Sequence, residues 1–200
     1  MKQGRIYTVV FTLIVSAFFT LLLAGANQLY LPKIRENEKL AERIAILYVF
    51  DIDQSGSAEE VLKRFDQNVK QTTVSGVELY ENTSADGKPI AYAVPFTGPG
   101  LWGSISGYLG VSSDLDHITG LVFTDQSETP GLGGRIDELA YREQFRGLKI
   151  IPGTTLAYGK QGDSQIDAIT GATLTSNSVM RILNGLLQDT VSKLGVTGNA

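Results

Sequence analysis

The chain has 200 residues, 42% hydrophobic and 19% charged, with a formal net charge of −4, 22 Gly, one His and no Cys. That apolar content excludes a disordered chain, and the lack of a basic tract excludes a nucleic-acid partner. Without Cys there are no disulfides, thiolate metal sites, iron–sulfur clusters or cysteine nucleophiles; the lone His117 offers neither a histidine metal cluster nor a Ser-His-Asp triad, so redox chemistry would require an organic cofactor.

No charge occurs between Ile6 and Pro32, and residues 6–26 are almost wholly apolar, broken mainly by Thr8, Thr12, Ser16 and Thr20. As a helix this run rises about 31 Å, close to the ~30 Å hydrocarbon core of a bilayer. With Lys2 and Arg5 before it, residues 1–32 read as an anchor crossing the inner (cytoplasmic) membrane once. Ala24-Gly25-Ala26 also has the form of a signal-peptidase site, so cleavage after Ala26 competes with retention; the length of the run favours retention. Lys33, Arg35, Lys39 and Arg43 follow the span, and a count of positive charges alone would keep the domain inside. An export-like span starting at residue 6 with a large domain behind it favours the periplasmic, extracytoplasmic side.

Beyond the anchor, 15 basic residues face 21 acidic ones, a solvated acidic surface. Residues 33–47 place Ile34, Leu40, Ile44 and Leu47 on one helical face and continue the anchor as a stalk. Ser57-Ala58-Glu59-Glu60 is a capping box opening a helix with Val61, Leu62, Phe65 and Val69 turned inward, so stalk and first helix occupy 33–70.

The folded domain is expected over 71–195. Strand patterns cover 74–80, 90–96, 104–111 and 118–124, with Asp86-Gly87 as a hairpin turn, and a short helix fits 137–145. A last helix from about Ser176 buries Val179, Ile182, Leu183, Leu186, Leu187 and Leu194. Strands in the middle and helices at the ends predict an α+β fold, a mixed and mainly antiparallel sheet with flanking helices.

Fourteen of the 22 Gly lie between Gly98 and Gly171, and two segments exceed what hairpins need. In Ser127-Glu128-Thr129-Pro130-Gly131-Leu132-Gly133-Gly134, Pro130 fixes φ and Gly131 suits a type II turn. The product is a rigid loop with exposed amides, a carboxylate and an apolar Leu132 able to flank a planar polar ring. In the second, Asp167-Ala168-Ile169-Thr170-Gly171-Ala172-Thr173-Leu174-Thr175-Ser176-Asn177, small and hydroxylated residues lead into the last helix. Its N-terminal amides and dipole suit a phosphate, while the same residues also read as a plain N-cap at Ser176 or Asn177. No Gly-Lys-[Ser/Thr] follows, which excludes a nucleoside-triphosphatase loop.

Asp167 with Thr170-Gly171-Ala172-Thr173 resembles the D-x-x-[S/T]-G-A-T flavinylation motif of the FMN-binding domain family, and Glu128-Thr129-Pro130-Gly131-Leu132-Gly133 resembles its second signature. That family includes the C subunit of sodium-translocating NADH:quinone reductase and the G subunit of Rnf complexes. Gly100-Leu101-Trp102-Gly103 with Gly107-Tyr108-Leu109-Gly110 resembles the quinone-reductase branch, and the likeness covers about 96–187 plus the single anchor.

The resemblance implies FMN esterified through its phosphate to Thr173, with Asp167, Thr170, Gly171, Ala172 and Thr175 around the attachment. It further implies Glu128 and Thr129 toward the polar flavin edge and Leu132 and Leu174 against its face, with Gly131 shaping the loop. Attachment in the family is performed by a separate flavin transferase.

The function implied is a membrane-anchored electron carrier working with other membrane subunits of an ion-translocating NADH:quinone or ferredoxin-linked complex. It has no catalytic residue and no metal of its own. The alternative is a stand-alone anchored FMN reductase. A third reading starts from Phe11-Thr12-Leu13-Ile14, which resembles a type IV pilin, but Val15 replaces the pilin Glu and Val10 the processing Gly.

Overall fold

The computed structural model describes residues 2–74, 76–84, 86–151, 155–161 and 164–194. A single helix, α1 (Lys2–Val49), carries the apolar run and the charged stretch after it. Among the described residues it is the one helix long and apolar enough to cross a membrane. Its apolar side chains stand exposed, with Leu21 at 76% and Leu29 at 79%, a surface stable in lipid and costly in water. The chain divides into two compact units, Met1–Ala41 and Glu42–Ala200.

The second unit takes the last turns of α1 into its core, where Ile46, Leu47 and Val49 are fully buried. Helix α2 (Ala58–Asn68) opens with the expected capping box: the Ser57 hydroxyl accepts from Glu60 N at 3.3 Å, and Ser57 N donates to the Glu60 carboxylate at 2.7 Å. Val69, expected inside that helix, starts β1 (Val69–Val74) instead. The strand expected over 74–80 is also two strands, because Gly76, at φ +79°, turns the chain so that Val74 pairs with Val77 of β2 (Val77–Thr83).

Strands β3 (Pro89–Pro99), β4 (Ser104–Ser112) and β5 (Ile118–Asp125) complete a five-stranded antiparallel sheet in sequential order. Asp86-Gly87 sits in the β2–β3 turn, where Gly87 has φ +75° and donates to Ser84 O. The expected helix over 137–145 is three short turns: a 3-10 turn (Gly133–Asp137), α3 (Leu139–Arg142) and a second 3-10 turn (Glu143–Phe145). A small hairpin, β6 (Gly159–Gln161) with β7 (Ser164–Ile166), has no counterpart among the expected strands. Helix α4 (Thr173–Leu194) closes one face of the sheet. Its Ile182 crosses β3 at Gly98, where a Cβ would lie 2.5 Å from Ile182 Cγ1. The architecture is therefore α+β, an antiparallel sheet with flanking helices.

The end of α1 is seated on the sheet rather than merely near it. Gly110 and Gly120 pair across β4 and β5, and a Cβ on Gly120 would lie 2.9 Å from both Cα and O of Val49. Tyr48 is held from above, with the Arg142 guanidinium 4.5 Å from its ring centre. Arg146 donates to Tyr48 O at 3.2 Å and to the Glu143 carboxylate at 2.8 Å, and the Tyr48 hydroxyl donates to that same carboxylate. One arginine thus caps the helix C-terminus and ties it to the segment that follows the signature loop.

Candidate functional site

After β5, and running into the first 3-10 turn, the chain makes the loop predicted at 127–134. Gly131 takes φ +75°, and Thr129 O accepts from Leu132 N at 3.1 Å and Gly134 N at 3.0 Å. Thr129 and Leu132 are both exposed, Leu132 at 45%. Glu128, expected toward a ligand, is 5% exposed and its carboxylate is hydrogen-bonded within the protein. Oε1 accepts from Leu101 N at 2.7 Å and Trp102 N at 3.2 Å, and Oε2 accepts from the Thr175 hydroxyl at 2.6 Å. Those neutral donors occupy both oxygens, which is what a buried carboxylate needs.

Two motif glycines make room for it. A Cβ on Gly133 would sit 2.5 Å from Thr175 Oγ1 and 2.9 Å from Glu128 Oε2, and one on Gly100 would strike Glu128 Oε1.

The second segment begins its helix earlier than expected. Helix α4 starts at Thr173, and Ser176 N donates to Ala172 O at 2.9 Å, so neither Ser176 nor Asn177 is the cap. The reason is that the hydroxyls which made this stretch look like a cap are used elsewhere. Ser176, fully buried, accepts from Ile169 N at 3.1 Å, and Thr175, 1% exposed, donates to Glu128.

The four hydroxyl residues therefore separate cleanly. Thr175 and Ser176 are buried and engaged; Thr170 and Thr173 are exposed. Leu174 is 63% exposed, Ala172 is buried, and Gly171 has φ +80° with Leu132 Cδ2 lying 3.3 Å from where its Cβ would be. Asp167 is exposed; its N donates to Gln144 and its carboxylate accepts from Gln165, both at 2.6 Å. Beneath this turn, the Tyr158 hydroxyl donates to Ser176 O at 2.9 Å and meets Tyr141 at 2.8 Å; burial pushes the Tyr141 hydroxyl well above the ordinary phenol range.

Three segments far apart in sequence thus meet: the 100–103 loop, the 127–134 loop and the first turn of α4. Each presents an exposed apolar side chain: Leu101 at 47% and Trp102 at 70% from the first, Leu132 from the second, Leu174 from the third. The backbone amides of Thr173, Leu174 and Thr175 have no carbonyl one turn earlier within the helix, so they and the helix dipole favour an anion there. An apolar rim around an anion-favouring helix end suits a flat ring carrying a phosphate.

Leu101 and Trp102 are additions to the residues anticipated. The available signal was the only Trp of the chain, set in a loop between glycines. His117 lies in a partly exposed turn bridging to Lys149, its imidazole 3.8 Å from the Asp116 carboxylate.

Comparison with known proteins agrees with this geometry. Residues 100–188 match the FMN-binding domain family. Among curated proteins, the chain is 37% identical over 109 residues to the C subunit of the Na(+)-translocating NADH-quinone reductase of Pasteurella multocida, covering 51% of this chain and 42% of that one. It is 31% identical over 163 residues to the same protein from Neisseria meningitidis serogroup B, covering 71% and 63%. The chain thus spans about half the length of the curated relatives it matches.

Among solved structures, the crystal structure of Shewanella oneidensis NqrC aligns with a TM-score of 0.68 at 21% identity, over 78% of this chain and 95% of that one. The C subunit of the Na(+)-translocating NADH-quinone reductase from Parabacteroides distasonis aligns at 0.63 and 27% identity, over 80% and 94%. The stretch that matches the FMN-binding domain family, residues 100–188, carries both glycine loops and the first turn of α4.

Proposed function

We propose that the chain is a membrane-anchored flavoprotein electron carrier with FMN esterified through its phosphate to Thr173, serving as a subunit of an ion-translocating NADH:quinone oxidoreductase. The observation that carries this reading is the state of the hydroxyls. Of the candidates in the motif's second half, Thr173 alone is exposed at the helix N-terminus, while Thr175 and Ser176 are buried with partners.

The residues present fit the group. Thr173 offers an exposed hydroxyl where helix amides stabilise a phosphodiester, and Leu132, Leu174, Leu101 and Trp102 supply apolar walls for a planar ring. Gly171, lacking a side chain beside Leu132, leaves the approach open. Bound FMN would supply one- and two-electron exchange, a chemistry no side chain of this Cys-free chain provides. The protein's part is to hold the flavin on a rigid turn and to keep one face of the site apolar. Attachment requires a separate flavin transferase, and the exposed Thr170, Gly171 and Thr173 are accessible to it in the folded chain.

The complex is inferred from the relatives, which are named as subunits of the Na(+)-translocating reductase, and from α1, whose exposed apolar length suits an inner-membrane anchor. The domain is placed on the extracytoplasmic side; a reporter fused after Ala200 that functions only in the cytoplasm would refute this. To test the function, the tagged chain is purified in detergent from its own membranes. Association with other membrane subunits, in an assembly that oxidises NADH and reduces quinone, is the expected result. Full turnover with NADH by the isolated flavinylated chain would instead establish a stand-alone reductase.

A further inference from the structure

Glu128 lies in a signature that resemblance alone would assign to ligand contact, yet its carboxylate is spent inside the protein. It links partners 26, 27 and 47 residues away in sequence through three hydrogen bonds, none to a cation. A buried carboxylate satisfied only by neutral donors is a costly way to join two loops and a helix. Two glycines, Gly100 and Gly133, are shaped around it. What the arrangement achieves is visible at Trp102: the backbone amide is pinned while the largest apolar side chain of the loop stands 70% exposed. An exposed Trp on an anchored backbone is a wall held ready for something to lie against.

We propose that Glu128 is a positioning residue that does not touch the flavin. It holds the Leu101–Trp102 segment in register with the first turn of α4 through Thr175, so that Trp102 and Thr173 form one site before any ligand arrives. The functional half of this inference rests on attachment at Thr173; the positional half does not.

Trp102 is the only Trp, so its fluorescence reports this loop alone. The test uses the full chain in detergent, made without a flavin transferase, and measures Trp102 anisotropy and its quenching by acrylamide. Glu128→Ala deprives two amides of their acceptor; anisotropy should fall and quenching steepen, with far-UV circular dichroism unchanged. Glu128→Gln should restore wild-type behaviour, because its carboxamide oxygen accepts from both amides and its NH₂ donates to Thr175 Oγ1. If Glu128→Ala does not fold, Thr175→Val cuts only the helix side of the link and should loosen Trp102 in the same direction.

In flavinylated protein, the attached flavin should quench Trp102 emission in wild type and Glu128→Gln. In Glu128→Ala that quenching should be lost while the mass increment stays. Trp102 equally ordered in wild type and Glu128→Ala would overturn the proposal, as would Glu128→Gln as loose as Glu128→Ala. Failure of attachment at Thr173 would appear instead as a mass increment on another residue, with the flavin-free fluorescence result unaffected.

Discussion

Thr173 and Thr175 are two positions apart, yet the structure assigns them opposite energetic weight. Thr175→Val keeps the β-branched shape and opens no cavity, so its effect isolates the hydroxyl. That hydroxyl is 1% exposed and 2.6 Å from Glu128 Oε2. Hydrogen bonds to charged acceptors contribute about 1.5–3 kcal/mol, and the oxygen left behind would be buried without its donor. A loss of about 2 kcal/mol is expected, which for a domain of this size lowers Tm by about 4–8 °C. Thr173→Val, at an exposed site on the same turn, should change stability by no more than about 0.5 kcal/mol. Both are read by denaturant titration of the flavin-free full chain, comparing midpoints at equal slope. Equal midpoints for the two variants, or a larger loss at Thr173, would refute the assignment of a buried hydroxyl–carboxylate bond.

Gly120→Ala should cost about 1–3 kcal/mol, because its new Cβ would press 2.9 Å against the backbone of Val49; an unchanged denaturation midpoint would show that α1 does not seat on β5 there. Leu132→Asp should shift the absorption spectrum or midpoint potential of attached flavin while leaving the flavin in place, since it sets a charge on the apolar rim; an unaltered flavin in a folded variant would exclude that loop from the ring's surroundings. Burial raises the pKa of Tyr141 and of Tyr158 above the phenol's ordinary value. The folded chain therefore keeps protons that the unfolded chain releases above about pH 10. The stability they contribute is complete below that pH and falls as pH rises beyond it. Tm measured across that range should drop, with a shallower drop in Tyr141→Phe, and equal slopes would contradict the assignment.

Much of the fold is legible in the sequence because local chemistry and tertiary demand agree. The capping box at Ser57, the Asp86-Gly87 turn and the spacing of Val179, Leu183 and Leu187 each state one geometry, and each is realised. Misreadings arise where a residue has two uses. Ser176 looks like a cap because Ser favours caps, but its hydroxyl accepts from Ile169 N, a partner identifiable only once the loop folds back. Glu128 carries a tertiary link that nothing local announces: its carboxylate meets amides about 26 residues earlier. The strand over 74–80 reads as continuous since Ser75-Gly76 is a weaker turn signal than Asp-Gly, yet a positive φ at Gly76 splits it. The charged stretch after the anchor reads as a stalk by composition, while its last turn buries Ile46, Leu47 and Val49 under the sheet. Charge density says solvent; only the glycine notch at Gly110 and Gly120 shows where those side chains go.

The central claim is that one hydroxyl, that of Thr173, carries the flavin. The most direct measurement is fragmentation mass spectrometry of the proteolytic peptide spanning 167–181 from chain produced with a flavin transferase. The predicted result is an FMN-sized increment confined to fragments containing Thr173, and its disappearance from Thr173→Ala with Thr170 and Thr175 left unmodified. An increment on Thr170, Thr175 or Ser176, or one that survives Thr173→Ala, would contradict it.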